Sequence, residues 1–132
     1  MGNCGGVSAA GGNRARGGEL TVGPDLGFTE SERPFAGLRV IETASWIAAP
    51  AVGRMLRYLG ADVIKVEPRG GDGLRGMANP ARRPGVNPPF EVTNFGKRSV
   101  VLDLGTAEAR TAFGTLLETA DVLVTNLAPA FL

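Results

Sequence analysis

The chain has 132 residues, with 14 basic and 13 acidic side chains, no histidine and one cysteine. This length fits one small domain, and the balanced charge offers no basic surface for nucleic acid or for an anionic membrane face. The lone Cys4 excludes an internal disulfide and a cysteine-built metal site, and no apolar run approaches the roughly 20 residues of a membrane helix. We therefore expect a cytoplasmic protein with no metal, no nucleic-acid partner and no membrane partner.

Residues 1–33 form a segment rich in Gly, Ala, Asn and Arg, with no sustained apolar period. Such a segment buries too little apolar surface to offset the entropy that is lost when a chain becomes ordered. We predict a disordered, glycine-rich extension over residues 1–33, followed by a folded domain over residues 34–132.

The folded part begins with a strand, a helix and a second strand. β-branched residues predict strands over residues 38–43 and 62–67. Between them Gly60 suits the end of a helix. The i, i+3, i+4, i+7 spacing predicts that the apolar face of this helix contains Ala48, Ala51, Val52, Met55, Leu56 and Leu59. Because parallel strands need such a crossover, this stretch is a βαβ unit.

A second unit follows a segment dense in glycine and proline. Residues 68–90 predict a long loop without regular elements. Strands are then predicted over residues 99–104 and 121–125, with Thr106 as the N-cap of the helix between them and Pro129 suited to open another helix. The helix is predicted to bury Ala109, Phe113, Leu116, Leu117 and Ala120. The sequence thus predicts an α/β fold, a Rossmann-like parallel sheet built from two βαβ units.

Ligands of such sheets bind beyond the carboxyl ends of the strands. The turn after the first strand has no glycine, so the dinucleotide fingerprint is absent, and residues 96–99 precede a strand where a P-loop needs a helix. Basic side chains that suit phosphate, or that are simply solvated loop charges, are Arg69, Arg75, Arg82, Arg83, Lys97 and Arg98. No histidine, cysteine or lysine partner marks a carboxylate as an activated nucleophile, and we interpret Glu42 and Glu67 as structural.

Six blocks along the chain carry a family resemblance. They are residues 34–42 (PFAGLRVIE), 59–67 (LGADVIKVE), 70–75 (GGDGLR), 94–99 (NFGKRS), 102–104 (LDL) and 120–126 (ADVLVTN). In order and spacing they resemble the opening of family III CoA-transferases, a family that includes formyl-CoA transferase and the α-methylacyl-CoA racemases. The resemblance covers about residues 34–132 and identifies the chain as an N-terminal part of such a protein.

The resemblance implies that coenzyme A, as an acyl-CoA substrate, lies over the carboxyl edge of the sheet. By matching positions it assigns the main chain near Ile47 and Ala48 to the CoA site and Arg69 to a phosphate. It assigns the border of the nucleotide to Leu102, Asp103, Leu104 and Gly105, and the pantetheine side to Asn126, Leu127 and Ala128.

The resemblance also implies two chemistries. In the transferases an aspartate attacks the acyl-CoA, and a mixed anhydride and then an enzyme-bound CoA thioester carry CoA to a second carboxylic acid. In the racemases a histidine and an acid exchange the proton next to the thioester carbonyl. We expect both sets of catalytic residues beyond Leu132, so transferase, racemase and non-catalytic CoA-binding protein stay open. The parent enzyme is expected to be an interlocked homodimer, and the fragment itself to be inactive.

Overall fold

A computed structural model describes residues 29–77 and 87–128. In chain order its regular elements are β1 (Arg39–Thr43), α1 (Ala48–Tyr58), β2 (Asp62–Glu67), α2 (Pro88–Asn94), β3 (Arg98–Val101), α3 (Ala107–Glu118) and β4 (Val122–Thr125). Short 3₁₀ turns occupy Glu30–Glu32 and Gly73–Gly76.

The four strands form one parallel sheet in the order β3-β2-β1-β4. Helix α1 packs on one face, where the core contains Val40 and Val63, and α2 packs against α1. Helix α3 covers the other face, where Phe113 packs against Ile41 and Ile64. The strand order reverses between β1 and β4, as in Rossmann-like folds. The predicted α/β fold class is confirmed.

The strand predictions are confirmed, with small differences at their ends. Strand β2 has the predicted bounds, whereas β3 ends at Val101 rather than at residue 104. After a last ladder bond from the Leu102 N–H to the Glu67 carbonyl, the Asp103 carboxylate accepts a hydrogen bond from the Gly105 N–H. This side-chain turn bends the chain away from the sheet, and Thr106 then caps α3 as predicted by accepting from the Ala109 N–H.

The prediction of a loop without regular elements over residues 68–90 is wrong. The Asp72 carboxylate accepts from the Leu74 N–H and starts the 3₁₀ turn, and the Asn87 side chain accepts from the Phe90 N–H and starts α2. Pro88 and Pro89 occupy the first turn of α2, where a missing N–H costs nothing. Glycine and proline therefore mark the ends of these elements rather than their absence. Residues 78–86, with Arg82 and Arg83, lie outside the described residues.

The predicted apolar face of α1 is wrong in part. Val52 and Met55 are exposed, Met55 with 57% of its surface, whereas the buried residues of the helix are Pro50 and Gly53. Gly53 packs directly against Glu42 and Lys97 of the sheet side, so α1 approaches through its smallest residue. Val52 and Met55 therefore face outward, whereas Leu56 of the same predicted face packs against the core around Val40 and Val63.

Residues 29–33, which the sequence analysis placed in the extension, belong to the described part of the chain. Residues 1–28 of the predicted extension lie outside the described residues, but Arg33 is buried, and its Nη1 donates to the Tyr58 carbonyl at 3.2 Å. Gly60 ends α1 with φ +108°, and a Cβ there would lie 2.6 Å from the Arg33 Cβ. Arg33 therefore packs over the end of α1. The helix suggested at Pro129 lies outside the described residues.

Candidate functional site

A cavity of about 570 Å³ opens at the carboxyl edge of the sheet, on the side covered by α3. All four strands contribute to it through their last residues or the loops that follow. Its walls are Thr43, Ser45, Val66, Glu67, Pro68, Leu102, Asp103, Leu104, Gly105, Arg110 and Leu127. The cavity thus lies where ligands of parallel α/β sheets bind.

The loop between β3 and α3 forms one wall of this cavity, and Arg110 holds it in place. The Arg110 guanidinium, one turn into α3, donates from Nη1 to the carbonyls of Leu104 and Gly105 at 3.1 and 3.0 Å. Helical side chains lean toward the helix N-terminus, which brings Arg110 back to the loop and into the wall of the cavity. Arg110 was missed by the sequence interpretation; its position four residues after the cap Thr106 was the available signal.

Of the four singled-out basic residues that the structure describes, three are closely paired with carboxylates. Arg75 binds Glu67 through two hydrogen bonds of 2.7 Å, and Lys97 lies 2.8 Å from Glu42. Arg98 pairs with Asp62 at the opposite, amino edge of the sheet. These three cations are therefore not gathered around the cavity as a phosphate cluster.

Arg69 differs from those cations because its side chain is 81% exposed and lies only loosely, at 3.7 Å, from Asp103. Asp103 is a wall residue, so Arg69 stands at the rim of the cavity. A surface ion pair of this length contributes little stability, and its guanidinium is able to turn toward an anionic ligand.

The structure brings together some of the residues that the resemblance assigned, and not others. Leu102, Asp103, Leu104, Gly105 and Leu127 line the cavity. Ile47 and Ala48 lie at the start of α1, are exposed and stand outside the lining. Ala128 is also exposed. The Asn126 side chain bonds the main chain of Ser45, accepting from its N–H and donating to its carbonyl.

Glu67, at the end of β2, is a fixed anion in the cavity wall. Burial, the largest single effect, raises its pKa, but donors from Arg75, Ser99 and the Asp72 N–H together outweigh it and lower the pKa to about 2. Both carboxylate oxygens are occupied by these donors. Glu67 therefore holds the loop after β2 in place, and its oxygens are not available for attack on a substrate.

A second set of charges is buried on the α1 side of the sheet. The Lys65 ammonium lies 3.0 Å from Glu42 Oε1 and 2.8 Å from Asp72 Oδ2, and Lys97 Nζ lies 2.8 Å from Glu42 Oε2. All four side chains are at most 2% exposed. Burial lowers the pKa of Lys97 although the neighbouring Glu42 opposes this effect. For Asp72, burial alone would raise the pKa. The Lys65 ammonium and two backbone N–H groups have the larger combined effect, so the pKa of Asp72 lies below its usual range.

Within residues 29–77 and 87–128, no three His, Cys, Asp or Glu side chains lie close enough together to hold a metal ion. None of the helices in the same ranges has the length and apolar character needed to cross a membrane.

The fold is a Rossmann-like parallel sheet with a cavity at its carboxyl edge, and comparison with known proteins gives the family. Residues 35–132 match the model of CoA-transferase family III. The chain belongs to this family, which confirms the resemblance seen in the sequence.

Individual relatives agree. The chain is 46% identical over 99 residues to succinate–glutarate CoA-transferase of Agrobacterium fabrum, covering 70% of this chain and 25% of the relative. It is 40% identical over 94 residues to (R)-2-hydroxy-4-methylpentanoate CoA-transferase of Clostridioides difficile, covering 69% and 24%. A crystal structure of a CAIB/BAIF family protein from Brucella suis superposes with a TM-score of 0.67 and 40% identity, covering 72% of this chain and 26% of that one. The chain thus spans about a quarter of the length of the curated relatives it matches.

Proposed function

We propose that the chain is the CoA-binding N-terminal part of an enzyme that moves CoA between carboxylic acids. One observation carries the proposal: the cavity at the carboxyl edge is walled by Leu127 and by residues 102–105, which the family resemblance assigns independently to CoA. The matched relatives are named as CoA-transferases that act on carboxylic acids such as succinate and glutarate. Coenzyme A, as the acyl-CoA substrate, is therefore the proposed ligand.

The walls suit the two halves of a nucleotide. Leu102 and Leu104 provide an apolar surface for a base, and Arg110 adds a cation that is fixed at the loop. Arg69 at the rim supplies a second guanidinium, and guanidinium groups bind phosphate oxygens through two parallel hydrogen bonds. We place the pantetheine arm along Asn126 to Ala128 and then past the main chain of Ile47 and Ala48, at the start of α1.

The proposed reaction needs a carboxylate that is free to attack a thioester. Among the described residues Glu42, Glu67 and Asp72 are all buried and held by cations, so none of them fits this role. We place the nucleophilic aspartate of the enzyme beyond Leu132. Its attack on the acyl-CoA would give a mixed anhydride and CoA thiolate, and the thiolate would then form the aspartyl thioester while the donor acid leaves. The acceptor carboxylate would take CoA from that thioester by the reverse steps. By itself the chain would bind CoA and transfer nothing. The parent enzyme is proposed to be a cytoplasmic homodimer.

Calorimetry on the full chain tests the binding part of the proposal. We expect CoA and ADP to bind and pantetheine to bind more weakly, because the cavity residues meet the nucleotide. A folded chain with no measurable affinity for CoA would contradict the proposal.

Incubation with succinyl-CoA and glutarate should give no glutaryl-CoA, and transfer by this chain would disprove the placement of the nucleophile. In the parent enzyme, exchange of the proton next to the thioester carbonyl in deuterated water, without transfer, would indicate the racemase chemistry instead.

A further inference from the structure

The turn that leads from β1 into α1 is held by side chains on both sides. From the β4 side, the Asn126 amide pairs with the Ser45 main chain at 3.1 and 2.9 Å. From the β2 side, the Lys65 ammonium donates to the Ala44 carbonyl at 2.6 Å, and Asp72 Oδ1 accepts from the Trp46 N–H at 3.1 Å. The main-chain groups of this turn are thus hydrogen-bonded to side chains from three other segments: β2, the loop after β2 and the residues after β4.

Trp46 explains why this turn needs to be held. Its φ is +71°, and among the described residues it is the one non-glycine residue with a positive φ. A bulky residue in the left-handed region is strained and persists only when surrounding contacts enforce that conformation. The strain therefore has to be offset by the contacts on either side of the turn.

Asp72 contacts Trp46 directly, and Lys65 fixes the orientation of the Asp72 carboxylate. Oδ1 of Asp72 accepts from Trp46 and from the Leu74 N–H, while Oδ2 lies 2.8 Å from the Lys65 ammonium. The ammonium donates hydrogen bonds to Glu42 Oε1 and to the Ala44 carbonyl, and its contact with Asp72 Oδ2 is an ion pair. Because the Lys65 and Asp72 side chains are at most 2% exposed, water does not screen this ion pair. The carboxylate is locked with one oxygen toward the turn.

We propose that Lys65 and Asp72 are positioning residues that hold the turn at Trp46 in its left-handed conformation, so that the main chain of Ile47 and Ala48 stays in place for the acyl-CoA ligand. The inference rests on the proposed CoA binding. It assigns the buried charges a role in the site although neither residue lines the cavity. They act through the turn, which follows β1 at the point where the strand order reverses.

The substitution Asp72→Asn tests the inference because an amide cannot replace both carboxylate oxygens. One side of the amide is a donor, so either the Lys65 contact or the contacts to the Trp46 and Leu74 N–H groups are lost. Trp46 is the single tryptophan of the 132 residues, and its fluorescence reports on the turn alone. We expect Asp72→Asn to raise the acrylamide quenching of Trp46 and to weaken CoA binding at least tenfold, measured well below the unfolding temperature.

The matched control is Asp62→Asn, which breaks an exposed ion pair at the opposite edge of the sheet. Quenching and CoA affinity should both stay unchanged in this control. A folded Asp72→Asn chain with unchanged quenching and unchanged affinity would overturn the proposal, because a residue that only adds stability changes neither quantity in the folded state.

Hydrogen exchange on the unsubstituted chain provides a test that does not require any variant to fold. We expect the Trp46 amide to exchange as slowly as the amides of β2, with or without CoA, because the turn is held before the ligand binds. Exchange as fast as that of an unbonded loop amide would overturn the proposal. If the unsubstituted chain binds no CoA, the proposed function fails instead, and quenching and exchange still decide whether Asp72 holds the turn.

Discussion

Lys65 on β2 lies opposite Glu42 on β1 in the register of the sheet, and their ion pair of 3.0 Å is buried from water. Lys65→Met fills a similar volume but leaves Glu42 and Asp72 without this cation. Removing one partner of a buried pair costs roughly 3–5 kcal/mol. We expect a loss of that size in the free energy of unfolding, measured by urea denaturation. Arg98→Met, which removes an exposed partner of Asp62, should cost less than about 1 kcal/mol. Equal losses in the two variants would contradict the claim that the buried ion pair contributes more to stability than the exposed one.

Two helical glycines should respond to alanine in opposite directions. A Cβ at Gly53 would overlap Glu42 Oε2 and approach Lys97, whereas a Cβ at Gly114 meets nothing within 4 Å. Gly53→Ala should therefore destabilise the chain by about 3 kcal/mol through overpacking against the buried charges. Gly114→Ala should stabilise it by roughly 0.5–1 kcal/mol, since alanine is the better helix former. Thermal unfolding of both variants measures the difference, and a stable Gly53→Ala chain would show that α1 can move away from the sheet.

The Glu67 carboxylate should contribute to acid unfolding. Its pKa is about 2 in the folded chain against an ordinary value of 4.5, so the unfolded chain binds more protons between these values. The stabilisation is complete above pH 4.5 and is lost as the pH falls toward 2. We expect Glu67→Gln to lower the free energy of unfolding at neutral pH. Between pH 4.5 and 2 the free energy of unfolding of this variant should fall less steeply than that of the unsubstituted chain, as measured by denaturation at a series of pH values. An unchanged slope would mean that Glu67 does not titrate as the contacts indicate.

Arg110 should contribute to CoA affinity through its charge. Arg110→Gln keeps a polar but shorter side chain in the cavity wall and removes the cation, and we expect CoA to bind roughly tenfold more weakly by calorimetry. The loss should shrink at high salt, because it is electrostatic. Arg98→Gln is the control, since Arg98 lies at the opposite edge of the sheet and should leave the affinity unchanged. A salt-independent loss in Arg110→Gln would point to a collapse of the loop rather than to a lost phosphate contact.

The elements of the sheet could be read from local patterns. Strand β2 has its predicted bounds, and α3 has the predicted Thr106 cap and buries Phe113. These features depend on residues a few positions apart, where side-chain period and capping chemistry act directly. The same local reasoning failed over residues 68–90. The many glycines and prolines there predicted a loop, whereas Asp72 and Asn87 act as N-caps that start a 3₁₀ turn and α2.

The sequence by itself determined the family and the α/β class, because six ordered blocks and alternating strand and helix patterns are properties of the chain alone. It also predicted that Leu102 and its neighbours lie beyond the carboxyl ends of the strands, where they line the cavity. Only the tertiary structure decided which cations are available to a ligand, since Lys65 meets Glu42 from 23 residues away and Lys97 reaches the Pro50 carbonyl from 47. It also revealed Arg110 in the cavity wall and the turn at Trp46. Charge pairing and backbone strain depend on distances through space, and the order of residues along the chain does not specify those distances.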